Sequence, residues 1–180
     1  MAQFKAFSPK VEVNGETVHA IVDGMGAFKA KALALLTEHG IPDPKPSAWY
    51  SQQAWLDAFK AIATSIGPAT LFAIGQKIPA NAKFPPGLDS IEKALTSVDR
   101  AYRANHRGGD IGSYRAEECG PKSVKMVCEN PYPCEFDHGL VTAVAQRFKP
   151  AGTIVVKVNH DPKAPCRKHG ADSCTYLVSW

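Results

Sequence analysis

From Ile111 to Trp180 the hydrophobic pattern reads strand, strand, helix, strand, strand, and that order leaves few folds open. Ile111 to Cys119 and Lys122 to Cys128 have the content of strands, with Gly120-Pro121 turning between them. Asn130-Pro131-Tyr132-Pro133 ends the second strand. Phe136, Leu140, Val144 and Phe148 then recur at helical spacing until Pro150 and Gly152 close the helix. Thr153 to Asn159 is the most β-prone run in the chain. Cys174 to Trp180 alternates Tyr176, Val178 and Trp180 against Thr175, Leu177 and Ser179. A β-β-α-β-β order predicts an antiparallel sheet with a helix across one face, so the expected class is α+β.

The N-terminal part is predicted to be mainly helical. Lys10 to Val22 sets two alternating β-branched runs around Asn14-Gly15, a pair favoured in tight type I′ turns, and predicts an N-terminal hairpin. Helical spacing follows over Gly24 to His39, Ser51 to Ile66 and Ala69 to Ile78. It returns from Ile91 to Asn105, where Asp89, three residues before Glu92, supplies a capping-box-like start. The proline-rich stretches Ile41 to Pro46 and Pro79 to Gly87 read as connectors, too short to separate independent domains. The expected organisation is one domain over 1–180, with the hairpin and helical part at 1–107 and the sheet part at 108–180.

With 44% hydrophobic and 21% charged side chains in 180 residues, the chain can bury a core without covalent staples. Twenty-one Lys and Arg against seventeen Asp and Glu leave a net +4, too small an excess to argue for a nucleic-acid partner. No apolar run approaches the ~18 residues that would span a bilayer, so no membrane partner is expected. Met1 to Pro9 lacks the apolar centre of a secretory signal, and the expected compartment is the cytoplasm.

All five cysteines lie at or after Cys119, an odd number crowded into the end of the chain, which does not suit a secreted disulfide framework. The best candidate constellation is a metal set of Cys134, His160, Cys166 and Cys174. Soft thiolates and an imidazole are ligands that Zn²⁺ favours, and four of them close a structural tetrahedral site. Cys134 opens a predicted helix, where the dipole favours thiolate, and His160 ends a predicted strand. Cys166 and Cys174 bracket a loop whose Gly170 and Asp172 suit a tight excursion. Cys128 and His138 compete for a place in the set, His138 lying four residues after Cys134 on the same helical face. Buried, inert cysteines are the plainer alternative.

Asn130-Pro131-Tyr132-Pro133-Cys134-Glu135-Phe136-Asp137-His138-Gly139-Leu140 and Cys166-Arg167-Lys168-His169-Gly170-Ala171-Asp172-Ser173-Cys174-Thr175-Tyr176 resemble the closing motif of 4-vinyl-reductase-type domains. Those domains belong to a wider ligand-binding superfamily that includes phenol-responsive bacterial sensors, haem-based nitric-oxide sensors and vesicle-tethering TRAPP subunits. The resemblance covers residues 108–180 only. It implies that Cys134, Cys166 and Cys174 ligate a structural zinc beside a buried ligand pocket. The family's fourth ligand is a Glu, and here that place is Lys163, which cannot ligate while protonated. His160 is the proposed replacement.

Elsewhere, Asp23-Gly24-Met25-Gly26 is read as a strand-to-helix turn, because it lacks the third glycine of a dinucleotide fingerprint. Arg100, Arg103, His106 and Arg107 form a basic stripe, either a solvated helix end or an anion site. His106 is also a candidate haem ligand, with haem ranked behind zinc. Trp49, Tyr50, Trp55, Phe59, Phe72 and Phe84 are core or line an apolar pocket. The expected function is a cytosolic small-molecule-binding or sensory domain with a structural zinc site and an apolar pocket. A homodimer and a separate output protein are its expected partners. The alternatives are an enzyme, either a tetrapyrrole-type reductase or a thiol-dependent hydrolase, and an adaptor subunit without a small-molecule ligand.

Overall fold

A computed structural model describes residues 3–81 and 84–180. The chain begins with β1 (Glu12–Asn14) and α1 (Gly15–Gly24), and a single 3₁₀ turn leads into α2 (Lys29–Glu38). β2 (Trp49–Ser51) precedes α3 (Gln52–Ser65), α4 (Ala69–Asn81), α5 (Ile91–Thr96) and α6 (Val98–Ala104). β3 (His106–Arg107) then leads to β4 (Ser113–Gly120), β5 (Ser123–Glu129), α7 (Cys134–Arg147), β6 (Lys157–His160) and β7 (Cys174–Ser179). The class is α+β, and the β-β-α-β-β unit stands as its pattern predicts.

The two sheets are separate and antiparallel. The small one has the order β2-β1-β3, and the larger one the order β4-β5-β7-β6. β5 alternates inward Val124, Met126 and Cys128 with partly exposed neighbours, and β7 answers from the next position with Cys174, Tyr176 and Val178. This period-2 pattern is what a one-sided buried sheet requires. α7 packs beside α4, and the two backbones meet at glycines: a Cβ on Gly75 would stand 2.1 Å from the Phe136 carbonyl oxygen. Trp55 and Phe59 from α3 meet Tyr132 and Phe136 at ring separations of 5.0 to 6.1 Å, so one continuous core joins the helical part to the sheet part.

Four local expectations are corrected. Asn14-Gly15 does not turn a hairpin. Asn14 caps α1, its Oδ1 accepting from the Thr17 main-chain N–H at 2.9 Å, and β1 pairs with the distant β2 and β3 instead. Ser90, rather than Asp89, caps the helix that follows the second connector, and Ser97 divides that helix into α5 and α6. The Ser97 hydroxyl bonds the Ala94 carbonyl at 2.8 Å, where it competes with the helical ladder. α4 runs through Pro79 to Asn81, so the expected connector at Pro79 to Gly87 starts later, and its residues 82 and 83 lie outside the described ones. The run Thr153 to Asn159 pairs only from Lys157, because β7 ends at Ser179 opposite that residue; Ile154 is left 92% exposed.

Candidate functional site

Cys134, His160, Cys166 and Cys174 converge at one end of the larger sheet. Their four ligand atoms lie within 4.8 Å of one another. Each arrives on a different element. Pro133 delivers Cys134 as the first residue of α7, and His160 is the last residue of β6, opposite Tyr176. Cys174 opens β7 opposite Cys128, and Cys166 precedes a 3₁₀ turn that Gly170 closes with a φ of +86°. That left-handed glycine returns the loop so that the Ala171 N–H meets the Cys166 carbonyl at 3.3 Å.

The donor geometry suits a metal ion. Cys166 Sγ lies 3.8 Å from Cys134 Sγ and 3.7 Å from Cys174 Sγ. Sulfurs bound at ~2.3 Å with tetrahedral angles would stand about 3.8 Å apart, well beyond a disulfide bond of ~2.05 Å. His160 Nδ1 donates to the Asp161 carbonyl at 3.1 Å, which leaves Nε2 as the lone-pair nitrogen. That Nε2 is buried and has no hydrogen-bond partner among the described residues. A hydrogen bond with Cys134, aided by Arg167, holds the Cys174 thiol below its usual range, whereas Cys134 is driven up by the same bond and by burial. The Arg167 contact thus favours the thiolate form at Cys174.

The competing ligands fall outside the set. Cys128 is fully buried, and burial pushes its thiol up. His138 bonds the Val158 carbonyl through Nε2 at 2.9 Å and stacks on Tyr176. Lys163 contributes a main-chain N–H to Asp161. Cys119 is exposed on β4.

Sequence reasoning passed over the buried polar residues behind the cysteines. The Arg167 side chain is 1% exposed, and its guanidinium pairs with Asp137, which is itself fully buried. It also donates to both oxygens of Asn130 and, through Nε, to Cys174 Sγ. Asp137 accepts from the Tyr114 hydroxyl at 2.5 Å and from Asn130 Nδ2 at 3.2 Å. Burial raises the Asp137 carboxyl, and Arg167 opposes that rise. The one available signal was an Arg directly after a ligating Cys, which is too common to stand out.

A second feature is a cavity of about 30 Å³ beside His106, walled by Trp55, Tyr102, Asn105, Tyr132, Phe136 and Leu140 among others. His106 points inward and does not join a basic stripe. Its Nδ1 donates to the Tyr102 carbonyl at 2.8 Å, and its Nε2 accepts from the Tyr132 hydroxyl at 2.6 Å. Burial pushes its pKa down to about 4. Arg103 pairs with Asp99, and Arg107 pairs with Glu12 while lying over the Trp49 ring, so these cations do not gather into an anion site.

No family model matches the sequence, and no curated protein does. Solved structures match by shape. An H-NOX protein from S. oneidensis in the Fe(II)NO ligation state superposes with a TM-score of 0.68 at 14% identity, covering 92% of this chain and 98% of that one. A mutant of T. tengcongensis H-NOX gives 0.62 at 12% identity, over 91% and 94%. The fold is that of H-NOX domains. The likeness takes in both parts of the chain rather than residues 108–180 alone. A further match, at 0.64 and 13% identity over 93% and 94%, comes from work on heme distortion in the H-NOX family.

These matches correct the expected order of cofactors. Zinc stood first and haem behind it, but the proteins that share the fold are described by Fe(II) ligation and heme, so zinc loses that precedence. The residues around His106 do not themselves fit a haem. The cavity has room for about one water, and both His106 nitrogens are engaged. No Lys or Arg among the described residues lines the cavity to pair with the two carboxylates of a haem. Among the described residues, no helix is long and apolar enough to cross a membrane.

Proposed function

We propose that this chain is a sensory, small-molecule-binding domain on the H-NOX fold, with a metal centre at Cys134, His160, Cys166 and Cys174. The observation that carries the reading is the convergence of four donor atoms within 4.8 Å, one of them a buried imidazole nitrogen without a hydrogen-bond partner among the described residues. Thiolate and imidazole donors select a soft or borderline transition-metal ion over Mg²⁺ or Ca²⁺. Such an ion supplies a cross-link when bound. It ties the start of α7, the end of β6 and the start of β7 to the loop that Arg167 anchors on Asp137 and Asn130. The protein's own part is to orient His160 through Asp161 and to hold Cys174 as thiolate through Arg167.

The sensory part rests on the route from this centre to the cavity. Arg167 reaches Asp137, and Asp137 reaches Tyr114, which lines the cavity together with Tyr102, Tyr132 and His106. A small apolar molecule is the ligand that such walls favour, and anything larger than a water requires them to open. A homodimer and a separate output protein belong to the same proposal; the exposed Ile154 and Val155 beside edge strand β6 are apolar surface for such contacts. Thiolate ligands need a reducing compartment, so we place the chain in the cytoplasm.

Elemental analysis of the purified protein with a visible spectrum tests the reading. The expected result is one metal ion per chain, lost in Cys166→Ser and Cys174→Ser. A protein that contains no metal, or one whose metal is all accounted for by a Soret band, overturns the assignment to these four residues.

A further inference from the structure

The three sulfurs of the proposed centre have different surroundings. Cys174 Sγ accepts two hydrogen bonds from Arg167, one from the main-chain N–H and one from Nε, each at 3.4 Å. The guanidinium is fixed in place, because its other nitrogens are held by Asn130 and Asp137 in the buried interior. Cys134 Sγ lies 3.1 Å from the Tyr176 hydroxyl, whose proton is directed to the Cys134 carbonyl at 2.6 Å. Cys166 Sγ, among the described residues, hydrogen-bonds only to the other two sulfurs, with the Lys168 ammonium acting on it by charge alone. It is half-buried and lines an open groove of about 390 Å³ together with Glu135, His138, Lys168 and His169.

A hydrogen bond to a thiolate occupies lone-pair density, so it weakens both donation to a metal and attack on carbon. We infer that Arg167 sets the order of reactivity within the centre: it caps Cys174 and leaves Cys166 as the sulfur that a small electrophile entering the groove modifies first. Arg167 is a positioning residue in this scheme, acting through the sulfur that it holds. The inference deepens the metal-centre reading and rests on it. With iodoacetamide as the electrophile, a Cys166 sulfur lone pair forms the S–C bond while the C–I bond breaks. Iodide leaves with the electron pair, and the thiolate becomes a neutral thioether.

The test uses the full chain loaded with Co²⁺, exposed to limiting iodoacetamide and mapped by peptide mass spectrometry. Exposed Cys119 serves as the reagent reference, and buried Cys128, outside the centre, reports any general loosening. In the unaltered protein the expected order within the centre is Cys166 first and Cys174 last. In Arg167→Gln the rate at Cys174 rises on the order of tenfold, the worth of a hydrogen bond to a charged group, with Cys128 unchanged. The sulfur-to-cobalt charge-transfer band moves to lower energy, and Arg167→Lys falls between the two. Equal rates at Cys174 and Cys166 in the unaltered protein overturn the inference. So does a cobalt-loaded Arg167→Gln protein in which band and rate stay put, or one in which Cys128 and Cys174 accelerate together. Should Arg167→Gln fail to fold, the unaltered order and Arg167→Lys decide. A chain that takes up no cobalt overturns the metal reading itself, while the order of modification in that metal-free chain still judges Arg167.

Discussion

Gly139 on α7 lies so close to Phe72 on α4 that a Cβ added to it would stand 2.1 Å from the Phe72 carbonyl oxygen. Gly75 meets Phe136 in the same way from the other helix, so the crossing rests on two missing side chains. Nothing at either contact is a flexible side-chain tip that could move aside. Gly139→Ala therefore forces the helices apart, and α7 carries Cys134 at its start. The expected cost is about 3 kcal/mol, read as a lower urea midpoint with an unchanged slope. A midpoint equal to that of the unaltered protein would show that the two helices do not meet as described.

His106 gives the fold a pH dependence whose sign can be worked out. Its folded pKa is about 4, against 6.5 for the free side chain, because burial disfavours the charged ring. On acidification the unfolded chain takes up this proton first, so the stability is present above pH 6.5 and is lost as the pH falls toward 4. At 1.36 kcal/mol per unit the loss is about 3 kcal/mol. His106→Gln cannot titrate. The difference between the two stability–pH curves is expected to shrink between pH 6.5 and 4 and to be flat above. Parallel curves through that window would mean that His106 titrates normally.

The C-terminal unit was legible because its patterns are local. β5 and β7 alternate cleanly, and Pro133 and Pro150 bound α7. The convergence of the three cysteines and His160 was legible from their ligand types and, for His160, from its place at a strand end, while their role as a metal site is a proposal. Asn14-Gly15 misled because one Asn side chain serves a tight turn and a helix cap equally well. Pairing of β1 with strands that arrive much later in the chain decides between them. The cap gains a further partner, as Asn14 Nδ2 donates to Asn105 Oδ1 at 2.7 Å. Thr153 to Val156 has every propensity for a strand, but β7 offers nothing beyond Ser179 to pair with it. Arg167 and Asp137 were invisible because a buried ion pair has no periodicity, and only the tertiary fold brings its members together.

The proposed metal centre carries a stability prediction that separates its cysteines from the others. A site occupied at a hundred times its dissociation constant contributes about 2.7 kcal/mol. Removing the ion with a chelator, or breaking the set with Cys166→Ser, is expected to lower Tm by several degrees, and the two treatments together by no more than either alone. Cys119→Ser, on an exposed strand position, leaves Tm and its response to chelator unchanged. If chelator has no effect on the unaltered protein, the four residues do not act together as a metal site.

Asp137 and Arg167 make the most exacting test of how the centre is supported. Both side chains are sealed from water, so each relies on the other to offset the cost of burying its charge. Asp137→Asn keeps the shape but leaves the guanidinium with only the Cys174 sulfur as an anionic partner, for an expected loss of about 3 kcal/mol. It also weakens the acceptor for the Tyr114 hydroxyl at the cavity wall. Arg167→Met leaves the carboxyl without its cation, and because burial already raises Asp137, that group takes up a proton. Asp137→Asn is thus expected to cost more than Arg167→Met, since a carboxylate can neutralise itself and a guanidinium cannot. Urea unfolding of the two variants at pH 7 checks the ranking, and the reverse order would mean that Asp137 keeps its charge without Arg167.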